Sequence, residues 1–269
     1  MVIQMIKLPF YCLLVLLLLP LNSVAELQPD FEREKRLEEQ VVDIIFDGEP
    51  VFLNAGNRKF LALHMETDQE PEKGAVIILH GRGYHPDWKN VANPLRIGLT
   101  EKGWDTLSLQ MPVLEKDATY YDYVPVFPYA HPRIEAAIRF LREKGVKRVV
   151  LIAHSCSVHM SMSWIDDTGG KGIDAYVGIG MGAVDYKQKM KKPLPLDKLK
   201  VPILDIYGAK DFPAVHRYAY RRLMSSEKGG NPLSKQVVVP EADHYFTEMG
   251  KPLLEEISKW LDTLLVTDK

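Results

Sequence analysis

The chain has 269 residues, 46% of them hydrophobic, and 34 Lys and Arg against 36 Asp and Glu give a formal charge of −2. This supplies enough apolar material for one sizeable buried core, and the near-neutral balance argues against nucleic acid as a partner. Two cysteines, Cys12 and Cys156, exclude a disulfide-stapled scaffold.

Residues 1–25 read as a secretory signal peptide, with Lys7 as a short positive region, Leu13 to Leu19 as an apolar run and Ser23-Val24-Ala25 as the cleavage site. A membrane anchor fits less well, because the apolar stretch from Leu8 to Leu21 contains Pro9 and Pro20 and falls short of a span. Cys12 lies within the apolar run, away from the cleavage site, which argues against lipid modification. Cleavage removes Lys7 from the 34 basic residues and leaves 33 against 36 acidic ones, a charge of −3. Cys156 is then the single cysteine, so an internal disulfide is not expected. No later apolar segment is long enough to cross a bilayer.

Residues 26–48 form a leader whose Phe31–Phe46 stretch, with Leu37, Val41 and Ile44 at helical spacing, predicts an amphipathic packing helix. Residues 49–269 form the main domain. It opens with strands over Glu49–Leu53 and Lys59–Glu66 around the turn Asn54-Ala55-Gly56-Asn57, which predicts an antiparallel hairpin. After Gly74, apolar strands alternate with helical patterns, the signature of a parallel sheet with crossover helices on both faces. Strands are predicted at Ala75–Leu79, Thr106–Met111, Val149–Ala153, Ala175–Gly180, Ile203–Tyr207 and Gln236–Val239. A short helix starts at Asn93-Pro94, another runs from His131-Pro132 to Gly145, and a third follows Ser155 through Trp164. Ala214–Met224 and a stretch carrying Leu253, Ile257, Leu261 and Leu264 complete the helices. There is no internal repeat.

Val149-Val-Leu-Ile-Ala-His-Ser155-Cys-Ser157 is an apolar strand breaking at small residues, and it resembles the nucleophile elbow of α/β-hydrolases. That pattern is usually Gly-x-Ser-x-Gly; here Ala153 and Ser157 replace the glycines and crowd the turn. A serine nucleophile needs a histidine base, and the histidine needs a carboxylate to orient it. In open α/β sheets active groups gather beyond the carboxyl ends of the strands. Asp211 follows Ile203–Tyr207 across Gly208-Ala209-Lys210, and His244 follows Gln236–Val239. Ser155, Asp211, His244 is the order of the α/β-hydrolase triad. The resemblance also implies an oxyanion hole, from the N–H of Cys156 and an N–H of the His80-Gly81-Arg82-Gly83 loop, with Arg82 the candidate and Gly83 the alternative.

Other patterns carry less. Asp205 lies inside a strand, and Asp243, next to the histidine, reads as a loop-shaping residue. Gly178-Ile-Gly180-Met-Gly182 lacks the spacing of a dinucleotide fingerprint and reads as close packing. His154 and His159 lack a third metal ligand nearby, and Cys156 lacks a thiol-activating motif.

His80-Gly-Arg-Gly-Tyr-His-Pro-Asp-Trp88 together with Gly103-Trp-Asp-Thr-Leu-Ser-Leu-Gln-Met-Pro112 resembles an uncharacterised family of signal-bearing, α/β-hydrolase-like proteins from Gram-negative bacteria. This resemblance implies a single α/β-hydrolase domain and a periplasmic address, and it supplies no substrate. Fewer than twenty residues separate Gly182 from Val201, so a large cap domain is not expected. Tyr120, Tyr121, Tyr123, Phe127 and Tyr129 share one loop and are candidates either for lining a substrate pocket or for covering the core. Lys187, Lys189, Lys191, Lys192, Lys198 and Lys200 read as a solvated basic loop or a surface for anionic material. The expected activity is acyl-enzyme hydrolysis of an ester, thioester or amide of a small-molecule or lipid-like acyl substrate, without metal or organic cofactor. A catalytically silent binding or envelope-assembly protein, and an acyltransferase using the same residues, are the alternatives.

Overall fold

Eight strands form one sheet in the order β1-β2-β4-β3-β5-β6-β7-β8 in the computed structural model, which describes residues 27–266. The expected signal peptide at 1–25 lies outside them. The strands are β1 (Glu49–Ala55), β2 (Arg58–Met65), β3 (Ala75–Leu79), β4 (Asp105–Leu109), β5 (Val149–His154), β6 (Ala175–Ile179), β7 (Ile203–Lys210) and β8 (Lys235–Asp243). β1 pairs antiparallel with β2, and β2 with β4; every later pairing is parallel. The predicted hairpin and doubly covered parallel sheet are both present, and no described helix is long and apolar enough to cross a membrane.

Every residue of β3, β4, β5 and β6 is buried, as expected of parallel strands covered on both faces. On one face Ile77, Leu151 and Tyr176 pack with α4 (His131–Glu143) and α5 (Cys156–Thr168) through Ile134, Leu141, Val158 and Trp164. On the other, Val76, Ile78, Val150 and Ile152 pack with α2 (Ala92–Thr100) and α7 (Gly250–Val266) through Leu95, Leu99, Leu253, Ile257 and Leu261. The remaining helices are α1 (Phe31–Ile44), α3 (Tyr120–Tyr123) and α6 (Pro213–Gly229).

From β3 the chain first steps to β4 on one side and then crosses to β5 on the other. The crevice between β3 and β5 is therefore the point at which winding reverses, where open α/β sheets hold their ligands.

Several boundaries differ from the expectation for identifiable reasons. β4 ends two residues early because the Met111 N–H is taken by His80 Nε2, at 2.9 Å, instead of by a strand. β8 runs on to Asp243, paired with Lys210 past an irregularity at Gly208; as an edge strand it tolerates Pro240. Asp211 and His244 thus follow their strands directly. The aromatic loop is α3 followed by a 3-10 segment, Val124–Ala130. In α1 the inward stripe runs through Glu34, Leu37 and Val41, whereas Ile44 is 62% exposed; Ile45, just past the helix, packs on Val41, Leu61 and Leu63 in its stead.

Candidate active site

Ser155 stands between β5 and α5 with φ 55° and ψ −117°, a left-handed conformation that costs a non-glycine residue roughly 1–3 kcal/mol. The surrounding structure holds it there. Its N–H donates to Ile179 O at 2.9 Å, and its carbonyl accepts from Val158 N–H at 3.0 Å. The two flanking departures from glycine are both accommodated. Ala153 is fully buried, and Ser157 Oγ donates to His80 O at 2.5 Å, so the extra hydroxyl links the elbow to the loop after β3.

Ser155 Oγ lies 2.7 Å from His244 Nε2, and His244 Nδ1 lies 2.6 Å from Asp211 Oδ1. Asp211 Oδ1 also accepts from the Phe212 N–H at 2.6 Å. The proton between histidine and aspartate therefore belongs on Nδ1, which leaves Nε2 as acceptor for the serine hydroxyl. Asp211 and His244 are buried, and Phe212 stacks over the imidazole with ring centroids 4.1 Å apart. Gly180, at φ 64°, makes room for the ring: a Cβ there would lie 2.9 Å from His244 Cε1. Of the Gly178–Gly182 cluster, Gly180 thus serves close packing around the histidine, while Gly178 packs against Met181 and Gly182 against Arg222 and Tyr218.

Other side chains set the loops in place. Asp243 accepts from the N–H groups of Tyr245 and Thr247, at 3.0 and 2.9 Å, and so shapes the turn after His244. His154 lies 3.0 Å from His244 O through Nε2, and the carbonyl requires this nitrogen to be the donor. His80 lies 2.7 Å from Gly81 O through Nδ1 while Nε2 accepts from Met111 N–H, which pins the loop after β3 to the end of β4. Burial pushes the His80 pKa down to about 3, and burial followed by the nearby His244 pushes His154 down to about 4, so both rings are neutral near pH 7. Asp205 is committed elsewhere, to Arg222 Nε and Gln236 Nε2, each at 2.7 Å. Burial pushes the Cys156 thiol up to about 12, so it is no thiolate. No group of three or more possible metal-ligating side chains occurs among the described residues.

Arg82, Tyr120, Ser155, Cys156, Ala183, Val184, Asp185 and Phe212 line a pocket of about 20 Å³. Both first-choice oxyanion residues, Arg82 and Cys156, are therefore at the serine, whereas Gly83 is outside the lining and its carbonyl accepts from Arg33 Nη2 at 3.1 Å. Of the five aromatic candidates Tyr120 alone lines the pocket. Tyr121 sits outside it with its hydroxyl accepting from Lys189 N–H at 3.0 Å, Tyr123 and Phe127 are core residues, and Tyr129 lines a separate groove beside α1. A larger cleft of about 880 Å³ opens at the opposite end of the sheet, around Gly74, Arg148, Asp174 and Pro202 before their strands, away from Ser155.

Sequence reasoning missed Phe212, the Arg82–Asp185 ion pair and the Ser157 link. Phe212 adjoins Asp211 and was findable by position; the other two join residues 103 and 77 apart, with no local signal.

Solved structures with this fold include Est1E from Butyrivibrio proteoclasticus, 16% identical with a TM-score of 0.61, covering 81% of this chain and 99% of that one. A dienelactone hydrolase from Anabaena variabilis is 17% identical with a TM-score of 0.62, over 80% and 96% of the two chains. A lidless α/β serine hydrolase from Xanthomonas campestris is 13% identical with a TM-score of 0.59, over 82% and 96%. These likenesses establish an α/β-hydrolase fold. No curated protein matches the sequence. The model of a family described as "Protein of unknown function (DUF3530)" matches residues 20–124 and 130–262, most of the chain, and the chain belongs to that family.

Proposed function

We propose that this protein is a serine hydrolase that cleaves a carboxylic ester, or a thioester or amide, through an acyl-enzyme. The observation that carries the reading is the unbroken relay from Ser155 Oγ through His244 to Asp211, at 2.7 and 2.6 Å, on an elbow held in left-handed geometry. As Ser155 Oγ bonds to the acyl carbon, its proton passes to His244 Nε2, and Asp211 stabilises the resulting imidazolium. The N–H groups of Cys156 and Arg82 are assigned to the oxyanion. Collapse of the intermediate breaks the bond to the leaving group, which takes the proton from His244. Water, deprotonated by the same histidine, then attacks the acyl-serine, and the acid departs with Ser155 restored. The chemistry uses no metal or organic cofactor.

The 2.7 Å contact between base and serine gives no support to a silent binding protein, and transfer to an acceptor other than water would use the same groups. The signal-like 1–25 segment supports export to the periplasm, with a small-molecule or lipid-like acyl compound as substrate. A fluorophosphonate probe is expected to label the purified mature protein and to leave Ser155→Ala unlabelled. Equal labelling of that variant rejects the assignment.

A further inference from the structure

Ser157 stands where the usual elbow carries glycine, and its hydroxyl spans the two segments that supply the oxyanion N–H groups. It is buried, follows Cys156 as the second residue of α5, and its Oγ donates to His80 O at 2.5 Å, two residues before Arg82. One hydrogen bond thus joins the segment bearing one donor to the segment bearing the other. Both donors are unspent. Cys156, as the first residue of α5, has no intrahelical acceptor for its N–H. The Arg82 N–H has no acceptor among the described residues, and Arg82 and Cys156 both border the small space at Ser155.

The loop after β3 is held at two successive carbonyls. His80 O accepts from Ser157, and Gly81 O accepts from His80 Nδ1 at 2.7 Å and from Tyr84 N–H at 3.3 Å. The Gly81–Arg82 peptide is trans, so its carbonyl and the Arg82 N–H point in opposite directions, and fixing the one aims the other. Gly81 also lies against the elbow, since a Cβ there would stand 2.8 Å from Nδ1 of His154, the residue before Ser155. The His80 ring ties this loop to the end of β4 through Met111 N–H. Ser157 ties it to α5, the element that carries Cys156.

Building on the reading of Ser155 as nucleophile, with the N–H groups of Cys156 and Arg82 at the oxyanion, we infer that Ser157 is a positioning residue that fixes these two donors relative to each other. Glycine at 157 has no atom that could make the bond, so the serine adds a constraint that the usual pattern lacks. Such donors act by standing in place before the charge forms. Losing one outright slows a reaction by about 10²–10³-fold, and a misplacement of about 1 Å can cost about 100-fold.

The test measures the second-order rate of fluorophosphonate labelling, in which the phosphonyl oxygen takes the oxyanion position. It also measures the Ki of trifluoroacetophenone, read as protection from labelling. In that adduct Ser155 Oγ bonds to the carbonyl carbon, the serine proton passes to His244, and the carbonyl oxygen becomes the oxyanion. Ser157→Ala and Ser157→Gly are expected to label at least about 10-fold more slowly and to raise the Ki by a similar factor, and the pair of variants guards against one failing to fold. Ser161→Ala removes another buried hydroxyl of α5, one that donates to Val158 O at 3.0 Å, and is expected to lower the Tm while labelling within about 2-fold of wild type. Folded Ser157→Gly that labels at the wild-type rate or faster shows that Ser157 merely crowds the turn, which overturns the inference and leaves the nucleophile standing. Slower labelling at an unchanged Ki, or an equal slowing in Ser161→Ala, overturns it too. Wild-type protein that does not label removes the Ser155 reading and this inference with it.

Discussion

Glu34→Ala is expected to be among the most damaging single changes outside the Ser155–His244–Asp211 hydrogen-bond relay, although it lies in a leader helix that reads as simple packing. Glu34 is 8% and Arg133 4% exposed, and Arg133 Nη2 donates to both carboxyl oxygens, at 3.0 and 2.8 Å. Arg133 Nη1 also donates to Gln110 O at 2.8 Å, next to the Met111–His80 link that holds the loop after β3. Burial outweighs the attraction of Arg133 and raises the Glu34 pKa, so the pair as a whole is not a large net stabiliser. Removing one partner is another matter, because it strands a buried guanidinium at a cost of about 3–5 kcal/mol. For a domain of this size that corresponds to a Tm lowered by roughly 10 °C. Replacing both residues by apolar ones, Glu34→Leu with Arg133→Met, is expected to recover at least about 2 kcal/mol of the loss. Urea denaturation of wild type, single and double variants measures both values. A single variant within 1 kcal/mol of wild type, or a double variant no better than the single, would refute the reasoning.

Three further outcomes follow from the same geometry. Burial holds His80 at about 3 and His154 and His159 at about 4, so below pH 6.5 the unfolded chain takes up protons that the folded chain refuses. Stability is therefore expected to fall as pH drops from about 6.5 toward 4, by up to about 1.4 kcal/mol per unit for each histidine; denaturation at pH 7 and 5 checks it, and equal stability at both contradicts it. Ser155→Gly is expected to abolish labelling yet raise stability by about 1 kcal/mol, since glycine adopts φ 55° without strain; a lower Tm contradicts the strain account. Gly180→Ala places a Cβ 2.9 Å from His244 Cε1, and the displaced imidazole is expected to slow labelling about 100-fold. Labelling at the wild-type rate in a folded Gly180→Ala protein rules out the tight seat drawn for His244.

The positions of Ser155, Asp211 and His244 were legible because they depend on local order. An apolar run ending in small residues marks a strand end, and Ser155, Asp211 and His244 each follow one. The pocket was not legible. Five aromatics share Tyr120–Tyr129, and helical turns send four of them to the core, the rim or another groove while Tyr120 alone lines the pocket at Ser155. Ser157, which reads as crowding, is a hydrogen-bond donor once His80 O lies beside it.

The sequence by itself determined the α/β pattern, the strand order along the chain and the three residues at strand ends, because periodicity and turn chemistry act over a few residues. Tertiary structure alone decided what surrounds Ser155. The Arg82–Asp185 ion pair, the Glu34–Arg133 brace and the seat of His244 against Gly180 unite groups 103, 99 and 64 residues apart, and such pairings arise from how the helices and loops pack on the sheet.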